Sequence, residues 1–344
     1  MDVRAQLSQL DPTAREALAR RIRSRLSRDD APVSSHDVLI VGGGAAALTL
    51  ALDVRRERPE TSVLLIEPTP HPVPEVTHTV GESTVEVSAH YLRERLDLAE
   101  HLNTSHIRKM GLRMFFSHNG NTDISQRMEV GGSVFVPQVT YQIDRGRLEN
   151  ELYRRCVAEG VDIVHGRVRT VDLGPEGGLH TVSVQQGDVT SETTARWVVD
   201  ASGRNRVLPR QLELRRTNEH HCNAAWFRVA TEIDVGAWSD DPRWHGRLAE
   251  GERAMSTNHL MGEGYWVWLI RLASGATSVG IVAAGLPWTK ARPHSATAMS
   301  GQVAMDAAFT YAWSYLQFPE QITQDGLQPH RVETVFFWGS ESPD

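Results

Sequence analysis

The stretch Asp37-Val-Leu-Ile-Val-Gly42-Gly43-Gly44-Ala45-Ala46-Ala47 decides how this chain folds. A short apolar run passes at once into Gly42-x-Gly44-x-x-Ala47, and an alanine- and leucine-rich segment then continues to Pro59. That order reads as strand, tight turn and helix. Gly42 permits the turn, Gly44 lets a backbone approach a pyrophosphate, and the small Ala47 lets helix and strand pack closely. The helix start also offers unpaired N–H groups and a positive dipole end to phosphates. Residues 62–67 read as a second buried strand, closed by Glu67. A carboxylate at that strand end binds ribose hydroxyls and repels a 2′-phosphate, which favours FAD or NAD over NADP. The whole is one βαβ unit of a doubly wound sheet.

Working outward, a proline-rich loop (Pro68, Pro70, Pro72, Pro74) leads to Gly81-Glu82-Ser83-Thr84, which reads as the opening of a helix toward Leu98. Residues 107–116 read as one strand. Gln142-Ile-Asp-Arg145 precedes a helix over 145–159 with Leu148 and Leu152 on one face, ended by Gly160. Short strands follow around 161–164, 167–173, 180–185 and 194–199. The last runs into Trp197-Val-Val-Asp200-Ala-Ser-Gly203, an apolar strand ending in Asp-x-x-Gly. Residues 205–285 are strand-rich and hold Trp226, Trp238, Trp244, Trp266 and Trp268. Within Gly264-Tyr-Trp-Val-Trp-Leu-Ile-Arg271 the side chains alternate. Trp266, Trp268 and Ile270 share one face, and Tyr265, Val267 and Leu269 the other. Two indoles on one face make a broad rigid wall.

The chain has 344 residues, 40% of them apolar and 23% charged, a globular composition with room for two domains. A net charge of −7 gives no electrostatic reason to expect nucleic acid as a partner. Cys156 and Cys222 stand in no metal or redox spacing, so a reducing cytoplasmic setting is expected and a disulfide framework is not. His220-His221-Cys222 holds metal-ligating residue types, but no second cluster completes a site. No apolar run is long enough to span a bilayer. Residues 11–28 read as a basic amphipathic helix, with Asp11 as N-cap, Pro12 in the first turn, and Leu18, Ile22 and Leu26 on one face.

These segments together resemble the flavin-dependent halogenases. Val80-Gly-Glu-Ser-Thr84 is similar to their Gly-Glu-(Ser/Ala)-Thr segment near the flavin. His106-Ile-Arg-Lys109-Met-Gly-Leu-Arg-Met-Phe-Phe116 resembles the strand that bears their catalytic lysine, and Trp266-x-Trp268-x-Ile270 their signature strand. Asp200 and Gly203 resemble the second FAD motif of the flavin monooxygenase superfamily, and Arg145 the arginine that lies along the dinucleotide. The resemblance implies a Rossmann-like FAD-binding α/β fold of the glutathione-reductase/monooxygenase type, with an inserted antiparallel substrate sheet. It implies FAD held by Gly42, Gly44, Ala45, Ala47, Glu67, Gly81, Glu82, Ser83, Thr84, Arg145, Asp200 and Gly203. It implies a separate flavin reductase, halide and O2 as co-substrates, and a small aromatic substrate, free or carrier-tethered. Hypohalous acid then passes to Lys109, while Trp266, Trp268 and Ile270 partition flavin from substrate. Burial, with Arg108 and Arg113 nearby, is expected to lower the pKa of Lys109.

Three departures matter. Arg271 stands where the family has proline. The later family motif, Gly-(Asp/Glu)-Ala followed by Asp-Pro and a Ser/Thr-Gly turn, is not matched by Asp306-Ala-Ala308 or by Ser340-Glu-Ser-Pro343. The tail also shows no closing element. The expected organisation is an extension over 1–34, a discontinuous FAD domain over 35–204, a substrate sheet over 205–285, and a divergent or truncated tail over 286–344. Weak or absent halogenation is the matching expectation, unless the tail rebuilds the halide turn. The alternatives are a flavin monooxygenase or oxidoreductase without halide, or an inactive nucleotide-binding remnant.

Overall fold

A computed structural model describes residues 35–77, 79–118, 123–216 and 222–284, and the backbone of a strand at Val332–Gly339. The opening unit forms as its sequence predicts. Strand β1 (Ser35–Val41) enters the glycine turn, helix α1 (Ala45–Glu57) follows, and β2 (Val63–Glu67) returns parallel to β1 with Val38 beside Val63. Leu39, Ile40, Leu64 and Leu65 are all buried, because a parallel sheet covered on both faces needs apolar residues at successive positions. Ile40 packs in one cluster with Ala47, Leu48, Ala51 and Leu52 of α1. Leu39 and Val41 pack on the other face with Val168, Val171, Val182 and Ala195.

The sheet runs β7-β2-β1-β10-β9-β8. Here β7 is Asp162–His165, β8 Arg167–Asp172, β9 His180–Gln186 and β10 Val189–Asp200. The strands β7, β2, β1 and β10 are parallel, and β9 and β8 form an antiparallel flank. A long helix, α4 (Arg145–Ala158), places Leu148, Leu152 and Cys156 in the cluster built on α1. Cys156 donates to the Leu48 carbonyl at 3.3 Å, and burial pushes its thiol up to about 12. That keeps it a protonated packing group.

A second sheet has the order β15-β11-β14-β13-β12-β4-β5. Its strands are β4 (Leu112–Phe116), β5 (Met128–Gly131), β11 (Cys222–Val229), β12 (Thr257–Gly262), β13 (Tyr265–Arg271), β14 (Thr277–Ala284) and β15 (Val332–Gly339). All neighbours are antiparallel except β12 and β4. Val267 and Leu269 are buried in a cluster with Phe115, Phe227, Trp244, Val279 and Ile281, and Tyr265 packs against it. Trp266, Trp268 and Ile270 take the opposite face, as the alternation predicts.

Four expectations are corrected. The run 107–116 is not one strand. Gly111 turns with φ +92°, so β3 (Ile107–Lys109) pairs with β6 (Thr140–Gln142) in a separate ribbon while β4 enters the second sheet. Gly81 to Thr84 does not open a helix. It is extended along β6, where the Thr84 N–H donates to Tyr141 O (2.9 Å) and the Ile143 N–H to Glu82 O (2.7 Å). Helix α2 (Glu86–His90) starts later, and a π turn over Tyr91–Arg95 carries it toward α3 (Ala99–Ser105). The second sheet draws strands from 112–131 and 332–339 as well as from the interval 205–285. The tail does supply a closing strand, since β15 pairs with β11.

The helix expected over 11–28, His220 and His221, Asp306 to Ala308, and Ser340 to Pro343 lie outside the described residues. Among the described residues no helix is long and apolar enough to cross a membrane.

Candidate functional site

At the nucleotide end, the Gly42 N–H donates to Ile66 O at 2.8 Å, closing the turn onto β2. Gly42 has φ +112°, and a side chain there would strike the Ala201 carbonyl. Gly43 donates its N–H to Glu67 Oε2 at 2.7 Å, and Glu67 Oε1 accepts from the Thr69 N–H at 2.7 Å. Two backbone amides therefore hold the carboxylate at the tip of β2. A Cβ built on Gly44 meets nothing within 4 Å, so the space before α1 is open. An open cradle, a helix start and a fixed carboxylate at the strand tip suit a dinucleotide. Arg145 lies beside Val80 and Gly81: it donates to the Val80 carbonyl and to Glu149 Oε1 (2.6 Å), and its buried Nε has no partner. Gly81, at φ +97°, lies so close to Arg145 that a Cβ would stand 2.7 Å from the guanidinium.

Asp200 is occupied differently. Its carboxylate accepts from the Ser202 N–H (2.9 Å) and the Leu208 N–H (2.8 Å), which caps the short helices at Gly203–Asn205 and Val207–Gln211. Gly203 turns at φ +61° with open space beside it.

Lys109 is 5% exposed, an unusual state for a lysine. Its Nζ donates to Ser83 Oγ at 2.8 Å and to the Thr84 carbonyl at 2.6 Å. Burial lowers its pKa, and the charge of Glu86 works against that. The two arginines are not the cause. Arg113 faces the other side of the second sheet and is neutralised by Glu129 at 2.5 Å, while Arg108 stacks over the Phe135 ring at 4.3 Å. Because the chain turns at Gly111, Lys109 and Phe115 lie on different strands.

The tryptophan strand lies against this network. Thr257 of β12 donates its hydroxyl to Ser83 Oγ at 2.9 Å. Two residues on, along the same face, His259 stands opposite Trp268. Burial and the Lys109 charge hold the His259 imidazole below its ordinary pKa, and its Nδ1 is buried without a partner. The Trp268 Nε1–H donates to Ser278 Oγ at 3.2 Å, and the indole lies over Gly280, where a Cβ would collide with it. Glu82 turns to the same sheet and pairs with Arg228 at 2.5 Å, both almost completely buried. Burial pushes the Glu82 carboxyl up, and the Arg228 charge opposes the rise.

Thus Ser83, Thr84, Lys109 and, through Thr257, the strand next to Trp266, Trp268 and Ile270 form one network, while Glu67, Gly42 and Gly44 form the nucleotide turn. Thr257, His259, Ser278 and Arg228 were not anticipated. Arg228 had a signal: a lone arginine inside the apolar run Ala224-Ala-Trp-Phe-Arg-Val229 calls for a buried acid. Arg271, in place of proline, keeps its strand position opposite Thr277 and pairs with Glu232 (2.6 Å) and Glu252 (3.3 Å).

Fold and site define a class, an α/β dinucleotide-binding protein of the flavin monooxygenase architecture with a second sheet against the nucleotide domain. A family model described as lycopene cyclase protein matches residues 37–218. The chain is 28% identical over 278 residues to the flavin-dependent halogenase chlA of Dictyostelium discoideum, covering 72% of this chain and 45% of that one. It is 30% identical over 263 residues to the flavin-dependent halogenase armH3 of Armillaria mellea, covering 73% of this chain and 47% of that one. The crystal structure of halogenase PltM with phloroglucinol and FAD superposes with a TM-score of 0.64 at 16% identity, over 88% of this chain and 60% of that one. That likeness concerns the fold alone. The chain belongs to the flavin-dependent halogenase family, and its nucleotide-binding half carries the lycopene cyclase pattern. It spans about half the length of these curated relatives.

Proposed function

We propose that this chain halogenates an electron-rich aromatic compound, free or carrier-tethered, using FAD that a separate reductase supplies in reduced form. The observation that carries this reading is the buried Lys109 amine, held by two acceptors beside the tryptophan strand. Gly42, Gly44, Ala45 and Ala47 would bracket the diphosphate, Glu67 the ribose, and Arg145 the dinucleotide flank. Gly81 and Gly203 keep the backbone close to it. Bound reduced FAD supplies two electrons to O2 while halide supplies two more, which gives hypohalous acid and water.

Lys109 takes the next step. Its lowered pKa raises the fraction of neutral amine over that of a free lysine. The amine attacks the halogen, so an N–halogen bond forms, the O–halogen bond breaks and water leaves. Held as intact hypohalous acid instead, the oxidant would hydrogen-bond to the same nitrogen. Trp266 and Trp268 stand as the partition that keeps substrate from the flavin, so transfer goes by way of the amine.

The test is incubation with reduced FAD, bromide and a panel of phenols and indoles. Mass spectrometry should show a brominated isotope doublet, and Lys109→Ala should abolish it while flavin titration stays unchanged. Equal bromination by the variant would remove Lys109 from the chemistry. A hydroxylated product formed without halide would instead identify a monooxygenase.

A further inference from the structure

Lys109 has three tetrahedral positions at Nζ beyond its own carbon, and two are held by Ser83 Oγ and the Thr84 carbonyl. In the neutral amine both hydrogens are then directed, and the lone pair takes the third position. Where that lone pair aims depends on Ser83 staying an acceptor. Thr257 secures this, because its hydroxyl donates to the same Ser83 oxygen at 2.9 Å. With both lone pairs used, Ser83 cannot turn its oxygen from the amine without breaking two bonds.

Thr257 is itself held. It is 3% exposed, and its hydroxyl has a longer contact of 3.5 Å with Gln142 Oε1. The orientation of Gln142 is settled by its own amide, whose Nε2 donates to the Ala254 and Arg271 carbonyls, each at 3.0 Å. Arg271 ends the strand that carries both indoles. The single Thr257 proton goes to Ser83 at the shorter distance, so the hydrogen-bond chain runs from the amine through Ser83 to Thr257, and Gln142 packs behind that hydroxyl while tied to the tryptophan strand. The amine's own hydrogen bonds go to Ser83 and Thr84 rather than to Thr257 or Gln142.

We infer that Thr257 is a positioning residue for Lys109, acting through Ser83. This rests on the halogenase function proposed above, so its test needs a readout that does not require halogenation. Trace carbamylation of Lys109 by cyanate, followed across pH by peptide mass spectrometry on the FAD-bound protein, reports the amine directly. Thr257→Val, which keeps the shape and removes the hydroxyl, should change the Lys109 labelling rate at least threefold, and Thr257→Ser should restore it. Ser83→Ala should change it as well, and the double variant should match Ser83→Ala alone.

If wild-type protein brominates, Thr257→Val should lower kcat about tenfold with KM unchanged, the mark of a group that aligns the reacting atoms. A Lys109 labelling profile in Thr257→Val that superimposes on wild type overturns the inference. So does additivity of the two substitutions. Thr257→Ser, which disturbs packing least, also carries the question if the valine variant does not fold: it must then label as wild type does. Absence of bromination in wild type with an altered labelling profile in Thr257→Val would sink the function and leave the positioning role standing.

Discussion

At the scale of single residues, Gly42 and Gly44 look alike in the sequence and differ in space. Gly42 is confined by its positive φ and by the Ala201 carbonyl, so any side chain there strains the fold. Gly44 has an ordinary extended backbone, φ −79° and ψ −176°, with nothing around its missing Cβ. Its glycine is explained by what would lie in the open cradle. Gly44→Ala should therefore leave thermal stability unchanged and weaken FAD binding roughly tenfold, about 1.4 kcal/mol. Calorimetric melting and flavin fluorescence quenching read the two quantities separately. A loss of stability with affinity intact would refute this account of the cradle.

At the scale of elements, strand alternation made the tryptophan face legible, because β13 stays regular along its length. The same reasoning failed at 107–116. A glycine in a strand-like run also marks a turn, and only the competing partners, β6 for Lys109 and β12 for Leu112, decide which it is. The extended course of Gly81 to Thr84 was hidden for a similar reason. Its partner β6 lies far along the chain, and local pattern carries no record of distant pairing. Strand β14 bears a related constraint: Gly280 is the floor under the Trp268 ring. Gly280→Ala should force the indole off that floor and destabilise the protein by about 1–3 kcal/mol, as overpacking does. Urea unfolding checks the cost, and a shift of the Trp268 indole N–H resonance checks the displacement.

At the scale of the molecule, the segment beside the β3–β6 ribbon is joined to the second sheet by buried charge. Glu82 rides on the segment that holds Lys109, and Arg228 comes from the second sheet. Arg228 also reaches toward Asp144 at 4.0 Å, and Asp144 begins α4 while accepting from the Ser274 N–H and hydroxyl. Removing the arginine alone strands a buried carboxylate. Arg228→Leu should cost about 3–5 kcal/mol near neutral pH. Its pH dependence has a definite sign. A carboxyl whose folded pKa lies above its unfolded value penalises the folded state fully above the folded pKa, and not at all below the unfolded one. Burial already pushes Glu82 up, so the deficit of Arg228→Leu should shrink as pH falls toward the ordinary glutamate range. Denaturant melts at several pH values measure it, and a pH-independent deficit would contradict the assignment.

The turn at Met110 and Gly111 hands the chain from the small ribbon to the larger sheet immediately after Lys109. The lysine is thereby pinned from two directions, by ribbon pairing on its own strand and by sheet pairing three residues later. A substitution that loosens either attachment would shift the nitrogen without touching it.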